Sequence, residues 1–101
     1  MNTIEISFVR IYLTEGEGCM KGLLKRLHDE EKVRGVTVFR GISGFGKSGE
    51  MHSSSLLDLS LDLPVVIEFY DEPGKVKAII DHLNTFVKPG QIIYWPATVN
   101  E

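Results

Sequence analysis

The residues able to do chemistry gather in one stretch, positions 35–52, which reads GVTVFRGISGFGKSGEMH. Glycines at 41, 44, 46 and 49 let a backbone take positive φ and come close to a ligand. Consecutive N–H groups in such turns form concavities that hold anions. Lys47 supplies a fixed positive charge, His52 a switchable one, and Arg40 stands just before the loop. The chemistry this implies is anion recognition, above all of phosphate.

Two nucleotide motifs match this stretch by letter. Gly41-x-x-x-x-Gly46-Lys47-Ser48 satisfies the P-loop pattern. That motif requires a helix directly after the lysine, so that its N-terminal N–H groups face the phosphates. Residues 48–55 are poor helix formers without an apolar stripe, so no helix is expected there. Gly44-x-Gly46-x-x-Gly49 matches the dinucleotide pattern, but it too lacks its helix and its βαβ unit. A plain glycine-rich hairpin connection is the alternative reading.

The remaining polar residues point to no reaction. His28 and His82 fall on predicted helices away from the apolar stripes, as surface histidines do. His52 either touches a phosphate or is an ordinary loop residue. Cys19 reads as a packing residue at a helix start, and Asp58 and Asp62 as solvated loop acids. No nucleophile, base and orienting group stand together, and no metal-ligand spacing is present. A non-enzymatic protein with no catalytic residue, no metal and no resident cofactor is expected.

The elements that must position the stretch belong to one domain, since 101 residues leave no room for a second core. The hydrophobic share is 43%, the charged share 25% and the net charge −3, with scattered basic residues. Duplex nucleic acid and anionic membrane both need a concentrated basic face, so neither is an expected partner. One cysteine excludes an internal disulfide and fits a reducing compartment. MNTIEISF carries no basic n-region or long apolar run, and no apolar stretch is long enough to span a bilayer. A cytoplasmic location is expected.

Along the chain, positions 3–13 alternate as a strand, with a phase slip between Phe8 and Val9. The slip predicts a bulge, or a strand covered on both faces in its later half. Thr14 and Glu17 have capping-box spacing. Met20, Leu23, Leu24 and Leu27 form one stripe of a helix over 18–32, with Gly35 as its C-terminal glycine. Positions 36–42 form a second strand and 64–70 a third, joined by a long connection over 41–62. Its second half carries Leu56, Leu57, Leu59 and Leu61, which are expected to pack. Asp71 is a candidate N-cap with Pro73 in the first turn. Val76, Ile79, Ile80 and Leu83 face inward, and Phe86 or Val87 closes the stripe. Lys88-Pro89-Gly90 is a turn. Positions 91–99 form a last strand in which Pro96 argues for an edge. The order β-α-β-β-α-β is the ferredoxin-like arrangement, an α+β fold with two helices on one face of a four-stranded antiparallel sheet.

Two helices cover only one side of such a sheet. The other side would carry Phe8, Arg10, Tyr12, Thr37, Phe39, Val66, Glu68 and Tyr70, with Tyr94 or Trp95 added by the last strand. A face so apolar is expected to be buried in a homo-oligomer, with Arg10 and Glu68 as ion-pair partners within it.

The run from Gly35-Val36-Thr37-Val38 through Arg40-Gly41, Gly44-Phe45-Gly46 and Met51-His52 to Asp62-Leu63-Pro64 resembles the PII-like family of uncharacterised small proteins. The resemblance covers nearly the whole chain. More distantly the chain is similar to the PII signalling proteins, in the Thr37 strand leading to Gly44-Phe45-Gly46 and the long loop after it. The resemblance implies a homotrimer with sheets facing inward and an adenine nucleotide in each cleft between subunits. By position, Gly35, Val36 and Thr37 would face the base. Gly44, Gly46 and Lys47 would approach the phosphates, Lys88 and Gly90 would come from the other wall, and Arg40, Gly41, Phe45 and His52 complete the expected nucleotide-binding residues. The loop over 41–62 would report the ligand to a target such as a membrane channel or transporter. The phosphate loop of PII proteins before the last strand shrinks here to positions 87–91, and their arginine-bearing C-terminal extension is missing. Fewer phosphates are therefore expected, with AMP or ADP favoured over ATP. An adaptor trimer that binds a protein partner through the loop, with no nucleotide, is the second reading.

Overall fold

The computed structural model of the chain describes residues 2–45, 51–53 and 63–101, with Glu17 and 51–53 as backbone. Strand β1 runs Thr3–Thr14 and ends in a 3₁₀ turn, Glu15–Glu17. Helix α1 spans Met20–Asp29 and strand β2 Val36–Arg40. Short strands β3 (Ser43–Phe45) and β4 (Met51–Ser53) precede β5 (Pro64–Asp71), helix α2 (Pro73–Leu83) and β6 (Ile92–Asn100). The main sheet has the order β2-β5-β1-β6 with every pair antiparallel. That is the ferredoxin-like order expected from the sequence, with β2 and β6 as edges. Pro96 lies on the β6 edge, where its missing N–H removes no bond from the sheet interior.

The alternation along the strands decides the layers. Val9, Ile11 and Leu13 of β1 and Ile67 and Phe69 of β5 face the helices, where they meet Leu23, Leu27, Val76, Ile79, Ile80 and Leu83 in one core cluster. Val87, not Phe86, closes the α2 stripe: Val87 is buried and Phe86 is 56% exposed.

Several local expectations are corrected. β1 pairs with β5 and β6 in unbroken register, so its phase slip is not a bulge. Ile6 is buried but shares the face of Phe8, away from the helices, and Arg10 and Tyr12 in the later half of that face are exposed. α1 begins at Cys19, which makes no side-chain cap, rather than at the Thr14–Glu17 box. It also stops at Asp29, three residues early. The left-handed residue after it is Lys32 (φ 53), and the Val33 N–H reaches back to the Leu27 carbonyl at 3.2 Å. Gly35 is therefore not a helix-terminating glycine. The N-cap of α2 is Glu72, one residue beyond Asp71.

The connection after β2 is also more ordered than expected. β3 and β4 form a two-stranded ladder, Ser43↔Ser53, Gly44↔His52 and Phe45↔Met51. Its glycines and polar residues lack the alternation that marks a strand. Strand on both sides of Gly46-Lys47-Ser48 is incompatible with a P-loop, which needs helix on one side. Among the described loop glycines, Gly41 and Gly44 do not have positive φ; that conformation occurs at Gly18 and Gly90. Gly46, Lys47, Gly49, Leu56, Leu57, Asp58, Leu59, Leu61 and Asp62 lie outside the described residues.

Candidate functional site

A cleft of about 300 Å³ opens at the start of β2. Arg34, Gly35, Val36 and Thr37 form its rim, and Phe8, Glu68, Phe69 and Tyr70 its floor. The ladder explains this. Val36 pairs with Phe69 and Thr37 with Glu68, so Gly35 falls at the level of Tyr70 and Phe8. Phe8 and Tyr70 stack with ring centroids 6.3 Å apart. A Cβ built on Gly35 meets no atom within 4 Å, and its φ is not positive. Neither backbone strain nor packing against the described residues requires glycine here. Its missing side chain leaves the space over the aromatic floor open.

The rim is held from below. The buried Asp71 carboxylate, at the end of β5, accepts from the Glu72 N–H at 2.8 Å, from Lys75 Nζ at 3.0 Å and from the Arg34 N–H at 3.3 Å. Lys75 Nζ also donates to the Lys32 carbonyl at 2.8 Å. Burial pushes the Asp71 carboxyl up, but the Glu72 N–H, the Lys75 ammonium and the Arg34 N–H together outweigh it and hold the group below the usual carboxylate range. The sequence reading missed this role because the Arg34 contact spans 37 residues.

The other expected site residues fall in three places. Arg40 and Gly41 sit at the far end of β2. The Arg40 guanidinium forms an ion pair with Glu15, and Gly41 packs on Pro64, whose Cγ lies 2.7 Å from a Cβ built there. The Gly41 N–H also donates to the Pro64 carbonyl at 2.7 Å. The close approach at Gly41 thus serves the chain itself. Gly44 and Phe45 lie on β3, with Phe45 70% exposed, and His52 lies on β4 opposite Gly44. Lys88 and Gly90 lie in the turn before β6, where Gly90 takes φ +88 after Pro89 and the Gln91 side chain accepts from the Lys88 N–H at 2.9 Å. This is the pattern of a type II turn.

One chain does not bring these places together. β2 and β6 are opposite edges, three strand spacings or about 14 Å apart. Gly35 also lies at the other end of the sheet from Gly90, because Val36 pairs toward the end of β5 and Ile92 pairs with Ile11 near the end of β1. Among the described residues of one chain the cleft at Gly35 has a single wall.

The face of the sheet away from the helices is aromatic, as expected, and its last-strand aromatic is Trp95. Trp95 pairs with Phe8 and stacks on it at 5.0 Å, while Tyr94 points to the helix side. Phe39 is 51% exposed and Ile93 50%. Arg10 Nε pairs with Glu68 Oε2 at 2.7 Å within the chain, and the Arg10 guanidinium lies 5.7 Å from the Trp95 ring centre. The Glu68 hydrogen bond raises the Arg10 pKa further above its ordinary value. The expected pairing of Arg10 with Glu68 therefore exists without a partner chain.

His28 and His82 are exposed, beside Asp29 (2.7 Å) and Glu31 (3.1 Å). Cys19 is half-buried and packs against the core. Among the described residues no group of His, Cys, Asp and Glu has the arrangement of a metal site. No helix of the described residues is long and apolar enough to cross a membrane.

This topology, with two helices on one face of a four-stranded antiparallel sheet, is ferredoxin-like, and the solved structures it matches are PII-like proteins. The chain belongs to the DUF190 family (Uncharacterized ACR), which it matches over residues 6–99. It is 35% identical over 88 residues to a UPF0166 protein of Aquifex aeolicus, covering 82% of this chain and 83% of that protein. A UPF0166 protein of Methanocaldococcus jannaschii is 32% identical over 95 residues, covering 89% and 86%. Among solved structures it is similar to CPII, a nitrogen regulatory PII-like protein from Thiomonas intermedia K12 bound to ADP, AMP and bicarbonate. The TM-score is 0.74 at 20% identity, over 99% of this chain and 92% of that one. A PII-like signaling protein of Thermus thermophilus superposes with TM-score 0.67 at 16% identity, over 98% and 91%.

Proposed function

We propose that the protein is a homotrimeric PII-like regulator. It takes an adenine nucleotide, AMP or ADP, in clefts between subunits and reports it through the loop over 41–62. The observation that carries this reading is Gly35. It is a glycine with no conformational or packing reason among the described residues of the chain, beside an aromatic floor at an edge strand. A glycine beside such a floor permits close backbone approach to a ligand. An edge strand presents unpaired N–H and C=O groups suited to the edge of a base. The single-walled cleft needs a second wall, and the Lys88–Gly90 turn of another subunit is its proposed source. The reading also rests on a similar fold, CPII, having been solved with ADP and AMP. Gly44, Gly46 and Lys47 would approach the phosphates, with Arg40, Gly41, Phe45 and His52 beside them. The protein performs no chemistry of its own and works in the cytoplasm, where a membrane channel or transporter is its proposed target.

Calorimetric titration with AMP, ADP and ATP tests this on the wild type and on Gly35→Val. A ligand that binds only the native state at a hundredfold excess over Kd raises stability by about 2.7 kcal/mol. Saturable binding of AMP or ADP, lost in Gly35→Val with the fold intact, is the expected result. No binding of any adenine nucleotide to folded trimers contradicts it.

One observation favours the adaptor reading. Ile42, just before β3, is 78% exposed and Phe45, at the end of β3, is 70% exposed, two apolar side chains suited to a protein partner. That reading predicts partner binding unchanged by nucleotide.

A further inference from the structure

The rim of the β2 cleft is one short piece of backbone, residues 32–35, between the end of α1 and the first residue of β2. Three features show that this piece is imposed rather than relaxed. Lys32 holds φ 53, a conformation rare for a residue with a side chain. Its carbonyl is taken by Lys75 Nζ at 2.8 Å. Two residues on, the Arg34 N–H is taken by Asp71 Oδ2 at 3.3 Å, and the same oxygen lies 3.0 Å from Lys75 Nζ. Asp71 and Lys75 therefore grip the rim at two points, one through an N–H and one through a C=O.

The grip is rigid at its base. Asp71 is 5% exposed, and its other carboxylate oxygen is fixed by the Glu72 N–H at 2.8 Å. Lys75 stands in the first turn of α2, one turn along from Asp71. A buried carboxylate paired with a half-exposed lysine at this position commonly serves α2 alone, as an N-terminal carboxylate does through the helix dipole. Here two of its bonds leave the helix and end on the rim instead.

We propose that Asp71 and Lys75 are positioning residues for the ligand of this cleft: they hold residues 32–35 in the shape that keeps the space beside Gly35 open. This rests on the reading of the cleft as the nucleotide site. Neither side chain lines the cleft, so both act through the backbone of Arg34 and Lys32. Binding and grip are coupled. Whatever loosens the grip adds an ordering step to ligand entry, and a bound ligand protects the grip in return.

The test compares Lys75→Gln with Arg26→Gln. Arg26 lies on α1 outside the cleft lining and pairs at 2.9 Å with Glu30 and with Glu31, the residue before the rim, so its loss destabilises that neighbourhood while removing neither bond of the grip. Both variants are titrated with AMP and with ADP, and backbone hydrogen exchange is followed at Arg34. Lys75→Gln is expected to weaken nucleotide binding about tenfold, equivalent to about 1.4 kcal/mol. Its Arg34 amide should exchange faster, and ligand should restore protection in the wild type. Arg26→Gln, compared at its own melting temperature, should keep wild-type affinity. If the wild type binds and Lys75→Gln binds equally well, the positioning role is wrong while the nucleotide site stands. An affinity loss of the same size in both variants reduces the role to general stability and also overturns it. If the wild type binds neither nucleotide, the functional reading fails and takes this proposal with it.

Discussion

The two faces of the main sheet are built from the same strands in the same register, yet they meet different fates. Toward the helices, Val9, Ile11 and Ile67 are fully buried and Phe69 is 2% exposed. Away from them, one residue along each strand, Tyr12 is 41% exposed, Ile93 50% and Phe39 51%. The first face is finished by the chain itself. The second has comparable apolar content and an ion pair at its centre, and apart from Ile6 at its end the described residues leave much of it exposed. The same contrast recurs among the glycines. Gly41 is required by Pro64, an atom of the chain, whereas Gly35 is required by no described atom of the chain. The regions that the described part of the chain leaves unexplained are those where the proposed function puts a partner or ligand.

Substitutions sharpen this contrast. The largest effect is expected in the helix-facing layer, where Phe69→Ala should cost about 3–5 kcal/mol in denaturant unfolding. Gly41→Ala comes next, at about 1–3 kcal/mol, because its Cβ would press on the Pro64 ring. Asp71→Asn should cost about 1–3 kcal/mol through a broken buried hydrogen-bond set. Its signature is pH dependence. The folded-state pKa lies below the ordinary carboxylate value, so its stabilisation is present above that value and is lost as pH falls through the folded one. Unfolding curves collected from neutral to acidic pH should therefore converge for wild type and Asp71→Asn at the acid end. A constant gap would mean that Asp71 does not titrate as described.

On the other side of the comparison, Phe39→Ser should preserve the circular dichroism spectrum and move the sedimenting mass toward the 11.3 kDa monomer. An unmoved mass would show that the open face is not an interface. The smallest effect is at Gly35. Gly35→Ala should raise stability by about 0.4–1 kcal/mol, since a compatible Gly→Ala change restricts the unfolded chain. A loss of stability would instead give Gly35 a role in the fold.

Much of this was legible in the sequence, for physical reasons. Strand alternation and helical stripes report burial directly, so the element order, the antiparallel sheet, the inward residues and the edge position of Pro96 followed from spacing. The aromatic open face followed from the same alternation once one face was given to the helices. The β3–β4 ladder was hidden because its residues are held by backbone pairing, which leaves no hydrophobic pattern. The end of α1 was misplaced because Lys32, rather than a glycine, takes the left-handed position. Of the residues that rim the cleft, Gly35, Val36 and Thr37 were named from the resemblance and Arg34 was not. The roles of Asp71 and Lys75 depend on a meeting of α2 with a loop some forty residues earlier, and no local spacing encodes it. Arg40 looked like a free cation, and its partner, Glu15, lies in another turn.

The central claim is that ligand and assembly belong to one site, a cleft completed by a second subunit. Native mass spectrometry with increasing AMP or ADP tests it most directly, because it counts chains and ligands in the same particle. The account predicts particles of three 11.3 kDa chains that fill with up to three nucleotides, with no nucleotide on single chains. Nucleotide bound to monomers, or trimers that stay empty at saturating ligand, would contradict it.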